Sequence, residues 1–192
     1  MTSDIVFPFN NEKEFIAMAE KLGYTSLIFA YTKQKEKTLY QNTKINIKHA
    51  FISNQKSPKT KNILISKNPA NLRTVLDHTK PDYITGIEWD DKPDSMHSRN
   101  SHLNQVLCKI MNKNNIALLI PLQDIQNSKG LKKSIILGRI SQNTRLCKKY
   151  KVKVKLATFA TSPYHMRSPR DLQSLAIILG LSTEQAKNSL KQ

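Results

Sequence analysis

The side chains able to make or break bonds are few in this sequence, and their spacing assembles no catalytic set. His49, His78, His97, His102 and His165 form no HxH pair and no HExxH, the patterns that turn two imidazoles toward one metal ion. His97 and His102 are five apart, a spacing that does not stack them on one helix face. Asp90, Asp91 and Asp94 form a small acidic cluster that could hold Mg²⁺ through water and reads equally as a solvated turn. Ser162 sits in no nucleophile elbow. Cys108 and Cys147 have no CxxC neighbour and fall inside helical apolar patterns, so they read as small core hydrophobes of a reducing compartment.

What the sequence has in excess is positive charge. Lys and Arg number 31 against 14 Asp and Glu, leaving +17 at pH 7. Such an excess points to a polyanion, most simply a nucleic acid, because each neutralised phosphate releases counterions without any sequence reading. Arg99, Lys132, Lys133, Arg139, Arg145, Lys148, Lys149, Arg167 and Arg170 lie in loops after strands or on helix faces opposite an apolar stripe. Arginine's planar fork grips phosphate at two points, and Tyr164 beside Arg167 is a candidate platform for a stacked base. The competing role for Arg167 and Arg170 is to hold their own loop, through Asp171 or neighbouring carbonyls, and the alternative reading of the lysine excess is that some of it merely solubilises the surface.

These residues hang on a regular alternation of strands and helices. The segment 158–181 shows it most clearly. An apolar strand end opens into a basic loop, Ser168 caps a helix with Pro169 at its first position and Asp171 three residues on, and Leu172, Leu175, Ala176 and Leu179 follow as a buried stripe until Gly180. Strands are expected at 4–9, 25–31, 44–53, 63–65, 82–89, 116–120 and 153–159. Helices are expected after Asn11, from Asn68 and Pro69, from Asn100 or Ser101, from Ser134 to Tyr150, and after Ser182 with Gln185 answering the cap. Residues 32–43 are lysine-rich and without period, and 123–133 reads as a polar loop.

About seven strands separated by helices argue for βαβ units and a parallel sheet, in one domain spanning 1–192. A TIM-barrel-like arrangement is favoured over an open sheet, because no GxGxxG or GxxxxGK[ST] loop follows any strand. The lysines alternating through 44–48 and 151–155 count against a perfect barrel, since closed parallel barrels prefer strands apolar on both faces, and suggest one that is incomplete or slightly open. No run reaches the roughly 20 apolar residues of a membrane span. The expected protein is soluble and cytoplasmic.

The run MHSRNSHLNQVLCKIMNKNNIAL from Met96, together with LGRISQNTRLCKKYKVKVKLATFATSPYHMRSPRDLQSLAIILGLSTEQAK from Leu137, resembles the archaeal ribonuclease P protein component 3 family, counterpart of the eukaryotic thirty-kilodalton RNase P subunit. The likeness covers residues 69–191 well and the first half only by pattern. Its most specific pieces are Arg99-Asn100-Ser101 with Leu103-Asn104, and Arg167-Ser168-Pro169-Arg170-Asp171. The resemblance implies an α/β barrel of the polymerase and histidinol phosphatase-like type, without that superfamily's metal-binding histidines. It also implies a subunit of the particle that removes the 5′ leader of precursor tRNA. The catalysis there is the RNA's, with Mg²⁺ used by the RNA, no cofactor bound by the protein and no catalytic side chain. Implied partners are the RNase P RNA, precursor tRNA, a small ferredoxin-like protein subunit paired as a heterodimer or a dimer of heterodimers, and other RNase P proteins. Two departures stand out: His102 occupies a place where the family commonly has Gly, and the piece after the second strand is shortened and lysine-rich. A metal-dependent phosphoesterase on the same barrel, or a general basic RNA-binding protein, would be the alternatives.

Overall fold

The computed structural model describes residues 1–32, 43–52, 61–65, 71–90, 92–96 and 98–191. Seven strands, β1 (Ser3–Val6), β2 (Ser26–Tyr31), β3 (Asn46–Ile52), β4 (Lys61–Ile65), β5 (Tyr83–Thr85), β6 (Ala117–Pro121) and β7 (Val154–Ala157), lie side by side in chain order. Every neighbouring pair is parallel. The helices are α1 (Glu12–Leu22), α2 (Leu72–Thr79), α3 (Gln105–Lys113), α4 (Leu122–Asn127), α5 (Gly130–Lys149), α6 (Pro169–Ile178) and α7 (Thr183–Ser189), with a 3-10 turn at Pro163–His165.

The sheet curls until its first and last strands meet, so the expected TIM-barrel-like fold is what forms. At the seam, Phe159 donates its backbone N–H to Ile5 and Phe7 donates to Ala160, both at 2.9 Å. Buried Asp4 stitches the same seam: its carboxylate accepts from the Thr158 backbone N–H at 2.7 Å and the Thr158 hydroxyl at 2.6 Å. No regular ladder joins β1 to β7, which makes the barrel nearly closed.

Two layers of core follow from the strand period of two. Ile5, Ile28, Ala50, Ile63, Leu119 and Ala157 point inward and fill the barrel with Phe159. The alternate residues face the helices: Leu27, Phe29 and Leu156 lie with Phe15 of α1, Ile136 and Ile140 of α5 and Leu172 of α6, while Leu64, Ile84 and Leu118 lie with Leu76 of α2 and Met111 of α3. Cys108 and Cys147 are both free and buried in that second cluster, as small hydrophobes.

Several boundaries differ from the sequence expectation for physical reasons. The fifth strand ends at Thr85, because Gly86 turns into the left-handed region at φ 84° and Trp89 bonds back to Gly86. Ile87 and Glu88 stay buried in a turn, which preserves the apolar pattern without a strand. The helix expected at Asn100 or Ser101 begins at Gln105, after a left-handed residue at His102 (φ 56°), and it is Asn104 that caps it by accepting from Leu107 N–H. Asn11 makes no side-chain cap to α1; its Oδ1 accepts from the Phe9 N–H instead. The supposed polar loop 123–133 contains α4, anchored by buried Leu122 and Ile125, and the start of α5. The two capping boxes, Ser168 with Asp171 and Ser182 with Gln185, are both formed. The expected start of a helix at Asn68 and Pro69, and most of 32–43, lie outside the described residues.

Candidate nucleic-acid interface

Helix α5 organises the basic surface. On its inner side, Ile136, Arg139, Ile140, Asn143 and Cys147 are buried. On its outer side, Gly138, Gln142 and Arg145 continue at helical spacing to Lys149. The loop after β5 brings Arg99 across this stripe, and together Arg99, Arg145 and Lys149 line a groove of about 400 Å³ with Gly138, Ser141 and Gln142. Among the described residues lining the groove none is acidic. Gly138 is what admits Arg99: a Cβ there would lie 1.4 Å from one guanidinium nitrogen of Arg99. Gln142 Nε2 fastens the same loop by donating to the Ser101 hydroxyl at 3.1 Å. Three cations on a helix and a braced loop, with hydrogen-bonding neighbours and Leu146 between them, are the side-chain chemistry that phosphate recognition needs.

Arg139 does not belong to this surface, although its charge and position on α5 suggested it. Its side chain is 2% exposed and all its bonds run inward. Nε donates to Asp94 at 2.7 Å, while the two terminal nitrogens donate to the carbonyls of Glu88, Asp90 and Lys92. A buried guanidinium whose donors are spent on one loop is a structural pin.

The acidic cluster is likewise drawn into holding that loop. Asp90 accepts from the Lys92 N–H and from Asn100 Nδ2, and contacts His102 Nε2. Its pKa lies below the usual value, through the Lys92 N–H first, with His102 adding to it. Asp94 accepts from the Asn100 N–H and from Arg139. Partial burial raises its pKa, but these two partners outweigh that and leave it lowered. Asp91 and His97 lie outside the described residues. Among the described residues no group of three or more His, Cys, Asp or Glu is placed to hold a metal ion.

The remaining candidates divide into two places. Lys132 is exposed at the start of α5, with its amine 5.8 Å from the centre of the Trp89 ring, and Lys133 beside it is half-buried. In the loop after β7, Tyr164 is 79% exposed. Arg167 is exposed but donates to the carbonyls of Tyr164 and Met166, so part of its fork braces the 3-10 turn. Arg170 is exposed on the first turn of α6, and Asp171 is occupied by the capping box rather than by either arginine. Lys148 and Lys149 are both exposed at the end of α5. The structure thus gathers Arg99, Arg145 and Lys149 into one groove and leaves Lys132, Lys133, Tyr164, Arg167 and Arg170 outside it. Gly138 and Gln142 were not among the sequence candidates. A glycine inside a helix costs about 1 kcal/mol against alanine and so marks a place where something must approach closely.

Among the described residues no helix is long and apolar enough to cross a membrane. A family model described as RNase P subunit p30 matches residues 93–192, the half that carries the groove. The ribonuclease P protein component 3 of Methanosarcina acetivorans is 30% identical over 118 residues, which cover 62% of this chain and 46% of that protein. The match thus spans about half the length of that relative. The component 3 of Methanosarcina barkeri is 22% identical over 190 residues, covering 94% of this chain and 80% of that protein. Among solved structures, a chain in a cryo-EM structure of archaeal ribonuclease P with mature tRNA has the same fold. Its TM-score is 0.78 at 15% identity, covering 97% of this chain and 87% of that one.

Proposed function

The chain belongs to the RNase P subunit p30 family, and from that membership we propose that it is a protein subunit of ribonuclease P that binds the RNase P RNA and supports removal of the 5′ leader from precursor tRNA. In this account the bond is broken by the RNA with its own Mg²⁺, and the protein binds no cofactor. Its part is electrostatic: to neutralise phosphates so that the RNA compacts and holds its metal ions at lower Mg²⁺. A small ferredoxin-like subunit, as a heterodimer or a dimer of heterodimers, and the other RNase P proteins are its proposed protein partners, in the cytoplasm.

The observation that carries this reading is the groove on α5, where Arg99 is seated over Gly138 beside Arg145 and Lys149, inside the region that matches the family model. The carboxylates and the histidine nearby are committed to bracing the loop that delivers Arg99. The test is equilibrium binding to transcribed RNase P RNA and to an unrelated folded RNA of equal length, for the wild type and for R145Q/K149Q. Tighter binding to RNase P RNA, with the salt slope of the variant shallower by about 1 to 2, supports the assignment. Equal binding to both RNAs would make the chain a general basic RNA binder instead.

A further inference from the structure

The lysines at 151, 153 and 155, whose alternation counted against a closed barrel, are not used by the groove. They stand at the end of the barrel where the strands begin. There a cleft of about 540 Å³ lies between the last turn of α5, the start of β7 and α7. Lys148, Lys151, Lys153, Lys155 and Lys191 line it, and among the described residues lining it none is acidic.

Part of this charge has a local use. Lys155 Nζ donates to the Asn188 carbonyl at 2.9 Å and to the Lys191 carbonyl, closing the end of α7. Its burial first, and then Lys61, Lys153 and Lys191 around it, pull its pKa down to about 8, so the crowding of cations is felt at this spot. The C-terminal ends of α5 and α7 together offer about one unit of negative partial charge. Against five lysines that leaves an excess of about four, which no carboxylate among the described residues lining the cleft meets. Solubility would be served as well by lysines scattered over the surface; five turned into one recess imply an anionic occupant.

We propose that this cleft is a second seat for RNA backbone phosphates. It continues from the groove around the last turn of α5, where Lys148 lines the cleft and its neighbour Lys149 lines the groove. The proposal rests on the RNA-binding reading above and extends it to the other side of α5. The occupant is a backbone and not a stacked base, because beside the lysine amines, the Gln185 and Asn188 amides and the apolar Val152, Val154 and Leu181 no aromatic ring is found among the described residues lining the cleft.

The test uses the full chain and transcribed RNase P RNA. K148Q/K151Q/K153Q/K191Q removes four of the cleft's five lysine charges and keeps Lys155 as the clasp on α7, and R145Q/K149Q serves as the groove control. Thermal melts establish that both variants fold. The cleft variant should lose about 2 to 3 from the slope of log K against log salt, at about 0.7 per lost single-strand phosphate contact. In a parallel acylation footprint of the wild type, bound RNA should protect Lys148, Lys151, Lys153 and Lys191 severalfold. A wild-type slope in the cleft variant, beside a shallower one in the groove control, overturns the cleft and leaves the RNA reading standing. A wild-type chain that does not bind the RNA overturns both. Protection of these lysines by a protein partner, and not by RNA, would reassign the cleft to that partner.

Discussion

Replacing Arg139 with methionine removes a charge that points entirely inward. The four bonds it breaks run to Asp94 and to the carbonyls of Glu88, Asp90 and Lys92, all in the loop that carries Arg99. Hydrogen bonds involving a charged group are worth about 1.5 to 3 kcal/mol each, so a plain sum would reach about 6 to 12 kcal/mol. The loop is not sealed, however: Lys92 is exposed and Asp94 is 22% exposed, so both can turn to water once released. That relaxation caps the loss near the about 3 to 5 kcal/mol typical of removing one partner from a buried pair. R139M should therefore lose about 3 kcal/mol in urea unfolding, and R139K, which keeps a charge without the fork, about half of that. Hydrogen exchange locates the effect, because the Asn100 amide donates to Asp94 and should lose its protection first. Wild-type stability and an unchanged Asn100 amide, combined with a salt slope for RNA lower by about 1, would put Arg139 on the RNA and refute the pin.

Other perturbations separate binding from stability. G138A should raise helix stability by up to about 1 kcal/mol while displacing the Arg99 guanidinium from its seat, so melting temperature rises as RNA affinity falls several-fold; affinity equal to the wild type would show that the seat is not used. Neutralising Arg170 should lower the salt slope of RNA binding by about 1, whereas neutralising Arg167 should also loosen the turn at Pro163–His165, visible as faster exchange of the Met166 amide. Burial raises the carboxyl groups of Asp4 to about 6 and Glu88 to about 7. The folded chain therefore keeps protons that the unfolded chain releases from about pH 4, and stability is full below that and declines as the pH climbs toward 7. Asp90 and Asp94, which are lowered, act in the opposite sense only below that window. E88Q should flatten the decline by up to about 3 kcal/mol, the equivalent of a rise from 4.5 to about 7; a pH–stability curve parallel to the wild type would contradict the burial argument.

Features written locally in the sequence were legible, and those written across distance were not. The Ser168 and Ser182 capping boxes need only a residue and its neighbour three positions on, and both formed. The strand count survived because alternating apolar runs are a short-range signal. The fate of Arg139 depended on a carboxylate and three carbonyls 45 or more residues away in the chain. A trace was nonetheless present: Arg139 falls three residues after Ile136 and one before Ile140, inside the buried arc of α5, where an arginine must be paired. His102 is a second case. Its backbone sits at φ 56°, a left-handed conformation that glycine takes freely, and here the side chain gains Asp90 as a partner. Gly138 carried the groove's signal, yet an isolated helical glycine says only that something approaches, and Arg99 approaches from another part of the chain.

The most direct measurement is cleavage of a 5′-extended precursor tRNA by transcribed RNase P RNA with the proposed small ferredoxin-like subunit, at limiting Mg²⁺, with and without this chain. The account predicts that adding the chain lowers the Mg²⁺ requirement or raises the rate, that R145Q/K149Q adds less, and that the chain alone cleaves nothing. Cleavage by the RNA and partner that is unchanged when the chain is added, over the whole Mg²⁺ range, would contradict it.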